Sequence, residues 1–196
     1  MDIVTQEQLN IFSKTGRVII SGFSNSGKTH LTCKLIEKYG SFFKNIIVCG
    51  VDALEIESCH KIIFKEGNYD PMTDENLRGE TLIVIDDLTD NKFYMQVLYK
   101  IFTRGRHKRI SCIFITQNLY LPNKEYRSIA LNANYFILFK IRDIKQVSHF
   151  CSTFIEREKQ SDFISCYRKY VLEKDYGYLL VDFTQKHSSP LMLRTN

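Results

Sequence analysis

The sequence predicts an α/β fold with a mostly parallel sheet covered by helices on both faces. Strand-like apolar runs alternate with helix-like segments along most of the 196 residues, which is typical of α/β proteins. These runs are continuously apolar, as at residues 46–49 and 82–85. Strands of that kind are buried on both sides, whereas strands with one wet face alternate apolar and polar residues.

Composition indicates a globular chain and bears on which partners it can bind. Hydrophobic residues make up 44% and charged residues 25%, with a net charge of +5. This mildly basic balance permits a polyanionic partner without requiring one. No apolar run approaches the about 20 residues of a membrane span, and the N-terminus lacks the basic start and apolar core of a signal peptide. We therefore expect a cytoplasmic protein without a membrane partner.

The cysteine pattern also favours the cytoplasm. Six are scattered along the chain without a C-x-x-C pair, at positions 33, 49, 59, 112, 151 and 166. The neighbours Cys59 and His60 have no further ligands at metal-site spacing. We interpret all six as free thiols in a reducing environment.

The elements follow one another in a regular order. Strands are predicted at residues 18–20, 46–49, 62–64, 82–85, 112–115, 135–139 and 178–181. A first helix is predicted over residues 28–39, and Gly40 is a plausible stop. Apolar positions at helical spacing indicate three more helices: Phe93, Val97, Leu98, Ile101 and Phe102; Ile144, Val147, Cys151 and Phe154; Phe163, Tyr167, Tyr170 and Val171.

We interpret residues 1–196 as a single domain. Its core covers about residues 17–140, two helices and an added strand follow over residues 141–185, and residues 186–196 form a short tail. Residues 51–80 are harder to interpret, apart from the short strand and a turn at residues 69–71.

Residues 22–29, GFSNSGKT, match the phosphate-binding pattern G-x-x-x-x-G-K-[ST] between a strand and a helix. Backbone N–H groups and the helix N-terminus direct partial positive charge at a triphosphate. Lys28 is predicted to contact the β- and γ-phosphates, and the Thr29 hydroxyl to bind Mg²⁺. The residues expected to surround the nucleotide are Gly22, Ser24, Asn25, Ser26, Gly27, Lys28 and Thr29.

A second nucleotide motif is predicted at residues 82–87, where four apolar residues precede Asp86 and Asp87. The strand would hold Asp86 at the carboxyl edge of the sheet as a Mg²⁺ ligand, acting through water. Asp87 takes the position of the glutamate that activates water in many ATPases, but it is one methylene shorter. The alternative is an ordinary strand followed by an Asp-rich turn or helix cap.

Gln117 follows the apolar strand at 112–115. In P-loop ATPases with one strand inserted between the two motif strands, that strand lies beside the P-loop strand. Its terminal polar residue can then contact the γ-phosphate or the attacking water. The alternative is a polar strand end without a catalytic role.

Residues 104–109, RGRHKR, contain four Lys or Arg. They are either a solvated basic turn or a functional segment. In the second case one arginine contacts the γ-phosphate bound by a neighbouring subunit, and the others contact nucleic-acid phosphates.

Together, residues 22–29, 85–88 (IDDL) and 102–118 resemble the poxvirus-type genome-packaging ATPases of the FtsK–HerA class, over about residues 17–140. The resemblance implies a P-loop NTPase fold of the RecA/ASCE type without a helical lid. It also implies that Gln117 is the sensor residue at the γ-phosphate. Arg106, or alternatively Arg104, would be the arginine finger, which contacts the nucleotide bound by a neighbouring subunit.

The resemblance further implies a function. ATP hydrolysis with Mg²⁺ would drive double-stranded viral DNA into a preformed capsid. The partners would be DNA, a homo-oligomeric ring (pentamer or hexamer) and a capsid or portal component. The place of action would be the host cytoplasm or virus factory.

Other functions remain open. A cellular or plasmid DNA translocase or helicase would carry the same motifs. An AAA+ remodeller needs a helical lid, and the strand at 178–181 argues against one. A GTPase switch needs an N-K-x-D motif, and residues 123–126 (NKEY) lack the Asp. A nucleotide kinase fits poorly with Asp86, Asp87 and the basic segment.

Overall fold

A nine-stranded sheet forms the centre of the computed structural model, which describes residues 3–5, 11–12, 15–50, 60–184 and 191–195. The strands are β1 (Ile3–Thr5), β2 (Arg17–Ser21), β3 (Asn45–Gly50), β4 (Ile62–Lys65), β5 (Thr81–Asp86), β6 (Ile110–Thr116), β7 (Tyr135–Leu138), β8 (Tyr178–Asp182) and β9 (Leu191–Thr195). Their spatial order is β1-β9-β8-β7-β2-β6-β5-β3-β4.

The sheet is mostly parallel, as predicted. Every neighbouring pair from β4 across to β7 is parallel, whereas β8 pairs antiparallel with both β7 and β9. The strand β6 lies between β2 and β5 and pairs with both. The carboxyl ends of β2, β5 and β6 therefore meet at one edge of the sheet, where open α/β folds bind ligands.

Within the described ranges, five α-helices cover the sheet: α1 (Lys28–Tyr39), α2 (Lys92–Arg104), α3 (Lys124–Leu131), α4 (Ile144–Phe154) and α5 (Gln160–Tyr167). Three begin at a side-chain cap. Asn91 Oδ1 accepts from the backbone N–H of Phe93, Asn123 Oδ1 from that of Tyr126, and Asp143 Oδ1 from that of Lys145. Such caps satisfy backbone donors that have no partner within the helix.

Both faces of the sheet are buried, and alternate strand residues belong to different layers. In β2, Val18 and Ile20 pack with Leu35 of α1, whereas Ile19 belongs to the layer formed with α2 to α5. Because successive strand side chains point to opposite faces, a continuous apolar run supplies both layers. This confirms the prediction of a sheet flanked by helices on both sides.

The helices after β7 are part of the domain's core rather than a separate lid. The Phe136 ring in β7 lies 5.0 Å from that of Phe150 and 5.5 Å from that of Phe154, both in α4. The Tyr167 hydroxyl of α5 donates to the Phe139 carbonyl and accepts from the Ile141 N–H, each at 2.9 Å. These contacts fix α4 and α5 beside the carboxyl end of β7.

The structure differs from the sequence-based predictions in several places. It contains α3 and β1, which the sequence patterns do not predict, and the segment expected to be a tail includes β9. The basic turn is largely a short 3-10 helix, Gly105–Lys108. Ile144, predicted on the apolar face of a helix, is 48% exposed. Predictions for residues 51–59 and 186–190 lie outside the described residues.

None of the helices in the described ranges combines the length and the apolar character needed to cross a membrane. The five cysteines within them form no disulfide, while Cys59 lies outside them.

The Phe136 cluster supplies a test of the fold. Phe136 is 1% exposed, so Phe136→Ala should leave a cavity and lower the free energy of unfolding by about 3–5 kcal/mol. Phe42→Ala is the matched control: Phe42 is 50% exposed, and its loss should cost about 0.5 kcal/mol or less. Denaturant titration followed by circular dichroism measures both, and equal losses would contradict this packing.

Candidate nucleotide-binding site

The loop between β2 and α1 is anchored to the strands on either side of β2. The Gly22 N–H donates to the Thr116 carbonyl of β6 at 3.2 Å, and the Phe23 N–H donates to the Lys140 carbonyl after β7 at 3.0 Å. Asn25 and Gly27 have positive φ angles of 61° and 99°. Glycine and asparagine adopt this region most readily, so the sequence suits the turn that leads into α1.

Gly22 stands where no side chain fits. A Cβ there would lie 2.5 Å from Phe139 Cβ and 2.8 Å from Ser26 Oγ. Ser26 is itself buried, and its Oγ has no hydrogen-bond partner among the described residues. The loop is thus tightly packed against Phe139, and the buried hydroxyl of Ser26 remains to interact with a ligand.

Lys28 is folded back over the loop. Its side chain is largely buried, with the residue 9% exposed, and Nζ donates to the carbonyls of Gly22 at 2.8 Å and Phe23 at 2.9 Å. Desolvation lowers the pKa of Lys28, while the nearby carboxylates of Asp86 and Asp87 oppose this shift. The Lys28 ammonium is therefore poorly hydrated and close to negative charge. A bound phosphate can replace the carbonyls of Gly22 and Phe23 as its hydrogen-bond acceptor.

The acidic residues follow β5 at the same edge. Asp86 ends the strand, and Asp87 has a positive φ of 48° while its N–H donates to the Ile115 carbonyl of β6 at 3.2 Å. Gly50, which no sequence motif singles out, ends β3 beside Asp86. A Cβ on Gly50 would lie 3.0 Å from the Asp86 carbonyl oxygen and 3.1 Å from its Cβ. The sequence holds no local signal for this contact, because Gly50 and Asp86 are far apart in the chain.

A chain of hydrogen bonds joins the loop to the acidic edge. Gln117 Nε2 donates to Asp87 Oδ2 at 2.5 Å, and Ser24 Oγ donates to Gln117 Oε1 at 3.3 Å. Gln117 follows β6, so it connects the elements on both sides of that strand. The structure thus brings Ser24, Lys28, Asp86, Asp87 and Gln117 together, with Thr29 exposed on the first turn of α1.

Arg104 and Arg106 lie elsewhere. Both are exposed and precede β6, whereas the nucleotide loop lies beyond its carboxyl end. The seven residues of β6 span about 20 Å at about 3.3 Å per residue. Neither arginine can reach the predicted phosphate site of its own chain. Arg106 instead lies near Arg17, whose pKa is lowered by burial and, to a smaller extent, by the charge of Arg106.

The other residues of the basic segment have local partners. Lys108 Nζ donates to the Met72 carbonyl at 2.7 Å, and the Arg109 guanidinium lies 3.6 Å from the Glu80 carboxylate. Arg109 also has a positive φ of 57° as it closes the 3-10 helix. These two residues thus have structural contacts that the sequence pattern did not reveal.

The order β2-β6-β5 and the loop between β2 and α1 define a P-loop ATPase of the RecA/ASCE type. One strand separates the two motif strands, as expected from the position of Gln117. The acidic strand end, the polar strand end and the phosphate loop converge because these three strands are parallel neighbours.

The sequence profile of the family described as "Poxvirus A32 protein" matches residues 57–183. That match covers more than half of the chain, and the chain belongs to this family. It includes Asp86, Asp87, Gln117 and both arginines but begins after the phosphate loop. The resemblance to poxvirus-type packaging ATPases is thereby confirmed.

Solved structures share the fold at low sequence identity. The genome packaging NTPase B204 from Sulfolobus turreted icosahedral virus 2, in complex with sulfate, is 16% identical with a TM-score of 0.62, over 96% of this chain and 98% of that one. The cytoplasmic domain of the Thermomonospora curvata type VII secretion ATPase EccC is 12% identical with a TM-score of 0.60, over 93% and 25% of the chains. No curated protein sequence matches the chain.

The packing around Gly22 gives a test of the loop. Gly22→Ala would place a Cβ against Phe139, and overpacking of this kind costs about 1–3 kcal/mol. We expect the loop to be displaced and the affinity for ATPγS, measured by calorimetry, to fall about tenfold or more.

Gly67→Ala is the control for Gly22→Ala. Gly67 has a positive φ of 68°, and a Cβ there would contact nothing within 4 Å. This variant should bind ATPγS normally. Wild-type affinity in Gly22→Ala would contradict the assignment of the loop.

Proposed function

We propose that the protein is an ATP-hydrolysing motor that moves double-stranded DNA into a preformed viral capsid. The hydrogen-bonded connection Ser24–Gln117–Asp87 carries the proposal, because it links the phosphate loop to a carboxylate suited to activating water. Membership of the poxvirus A32 family supports the packaging role, and B204 is described as a genome packaging NTPase.

The site offers binding groups for the phosphates and for a metal ion. Lys28 binds the β- and γ-phosphates, and the backbone N–H groups of the loop surround them. The Thr29 hydroxyl and the Asp86 carboxylate are oxygen donors of the kind that Mg²⁺ prefers, and they lie at the start of α1 and the end of β5. Mg²⁺ would neutralise phosphate charge there.

The hydrolytic step depends on two residues. Asp87 accepts a proton from the attacking water, and Gln117 orients that water through its amide. Their mutual hydrogen bond holds both side chains in place before the reaction. Because Ser24 also contacts Gln117, the same amide can respond to the presence of the γ-phosphate.

The position of the arginines supports assembly into a ring. Arg104 and Arg106 are exposed at the edge of the sheet opposite their own phosphate loop. A neighbouring subunit in a pentamer or hexamer would present one of them, preferably Arg106, to the γ-phosphate of this one. The ring would surround DNA and contact a capsid or portal component in the host cytoplasm or virus factory.

Lys28→Ala tests the motor. Removing the ammonium should abolish ATP hydrolysis and weaken nucleotide binding, whereas Lys61→Ala, which removes an exposed lysine before β4, should hydrolyse ATP normally. Phosphate release is measured with and without duplex DNA. Wild-type turnover in Lys28→Ala would contradict the site, and a wild-type rate unaffected by DNA would contradict the motor.

Arg106→Ala tests the shared site. The variant should bind ATPγS normally and lose about 10³-fold or more in turnover, while Arg157→Ala, at another exposed arginine, should retain activity. Mixing Arg106→Ala with Asp87→Ala subunits should restore part of the hydrolysis, because some interfaces then contain both residues. No recovery at any mixing ratio would contradict action in trans.

A further inference from the structure

A cavity lies beside the phosphate loop, on the side away from the acidic edge. Its volume is about 560 Å³, within the range of small-molecule sites. Gly27, His30, Lys34, Phe139, Tyr176 and Tyr178 are among its lining residues. It is thus continuous with the last glycine of the loop and the first turns of α1.

The order of the strands places this cavity relative to a bound triphosphate. Asp86 and Gln117 lie on one side of β2, at the ends of β5 and β6. The cavity lies on the other side, against Phe139 after β7 and Tyr178 in β8. When the γ-phosphate faces Asp86 and Gln117, the nucleoside leaves the loop towards β7 and β8, where the cavity begins.

The lining is aromatic where a base would enter. The rings of Phe139 and Tyr178 lie 5.1 Å apart and tilted by 37°. The Tyr176 ring lies over Gly27: a Cβ built on Gly27 would be 3.4 Å from Tyr176 Cδ1 and 3.4 Å from Phe139 Cε1. Aromatic faces of this kind stack on nucleobases with little preference for one base.

Tyr176 is held in an unfavourable conformation that its own packing does not explain. It is 73% exposed and has a positive φ of 55°, which is rare for a bulky residue. Gly177 fixes the turn, since a Cβ there would lie 2.2 Å from the Tyr170 carbonyl oxygen. Strained residues of this kind concentrate at ligand sites.

We propose that Tyr176 is the stacking platform for the nucleobase and that this cavity holds the nucleoside. The inference rests on the proposed function, because it requires a nucleoside triphosphate in the loop. It adds a base-stacking residue from the turn before β8, beyond both nucleotide motifs. Phe139 and Tyr178 form the apolar floor below the base.

The test compares ATPγS with inorganic tripolyphosphate, both with Mg²⁺, by calorimetry. Tyr176→Ala should weaken ATPγS binding by about 5- to 100-fold, the usual effect of removing a stacking ring, and leave tripolyphosphate binding unchanged. Tyr176→Phe should bind both ligands like the wild type. Tyr99→Ala, which removes an exposed tyrosine from α2, is the matched control and should also bind normally.

A second variant separates stacking from folding. Glycine accepts a positive φ without strain, so Tyr176→Gly should keep the wild-type melting temperature and still lose ATPγS affinity. Unchanged ATPγS binding in Tyr176→Ala would overturn the base site, and so would equal losses of affinity for ATPγS and tripolyphosphate. Tripolyphosphate binding by the wild type would still uphold the phosphate loop in either case. A wild type that bound neither ligand would overturn the proposed function, and this inference with it.

Discussion

The parallel alignment of β2, β6 and β5 is the constraint on which the site depends. A different part of the candidate site follows each strand, namely the loop of residues 22–29 after β2, Gln117 after β6, and Asp86 with Asp87 at the end of β5. Ladder hydrogen bonds hold neighbouring strands about 4.8 Å apart, so these groups are brought together by the backbone. The side chains then need only short contacts, such as the one between Gln117 and Asp87.

The two faces of the sheet support this edge in different ways. The helix α1 packs on one face and carries the lysine and threonine of the loop at its start. The other face is covered by α2 to α5 and the aromatic cluster around Phe136. The hydrogen bonds of Tyr167 to the backbone after β7 extend this packing to the segment that anchors Phe23. The loop is therefore set on a well-packed base.

How much the sequence predicted depended on whether the information was local. The turn between β2 and α1, α1 itself and the buried strands were recognisable because their signals lie within a few consecutive residues. The short helix α3 was missed because only Tyr126, Ile129 and Ala130 are buried in it, which is too few for a clear period. Gly50 and Tyr176 could not be assigned because their partners, Asp86 and Gly27, are distant in the chain. Arg106 lies at the opposite end of β6 from the phosphate loop because of the direction in which β6 runs, and the pattern of residues implies that direction only indirectly.

The separation between Arg106 and the phosphate loop has a consequence for counting sites. If every site needs an arginine from the next subunit, an open arc of subunits has one complete site fewer than it has members. Closing the ring supplies the last one. Turnover per subunit would then rise with the length of the arc and reach its maximum on closure, and an isolated subunit, which has no complete site, would hydrolyse little ATP.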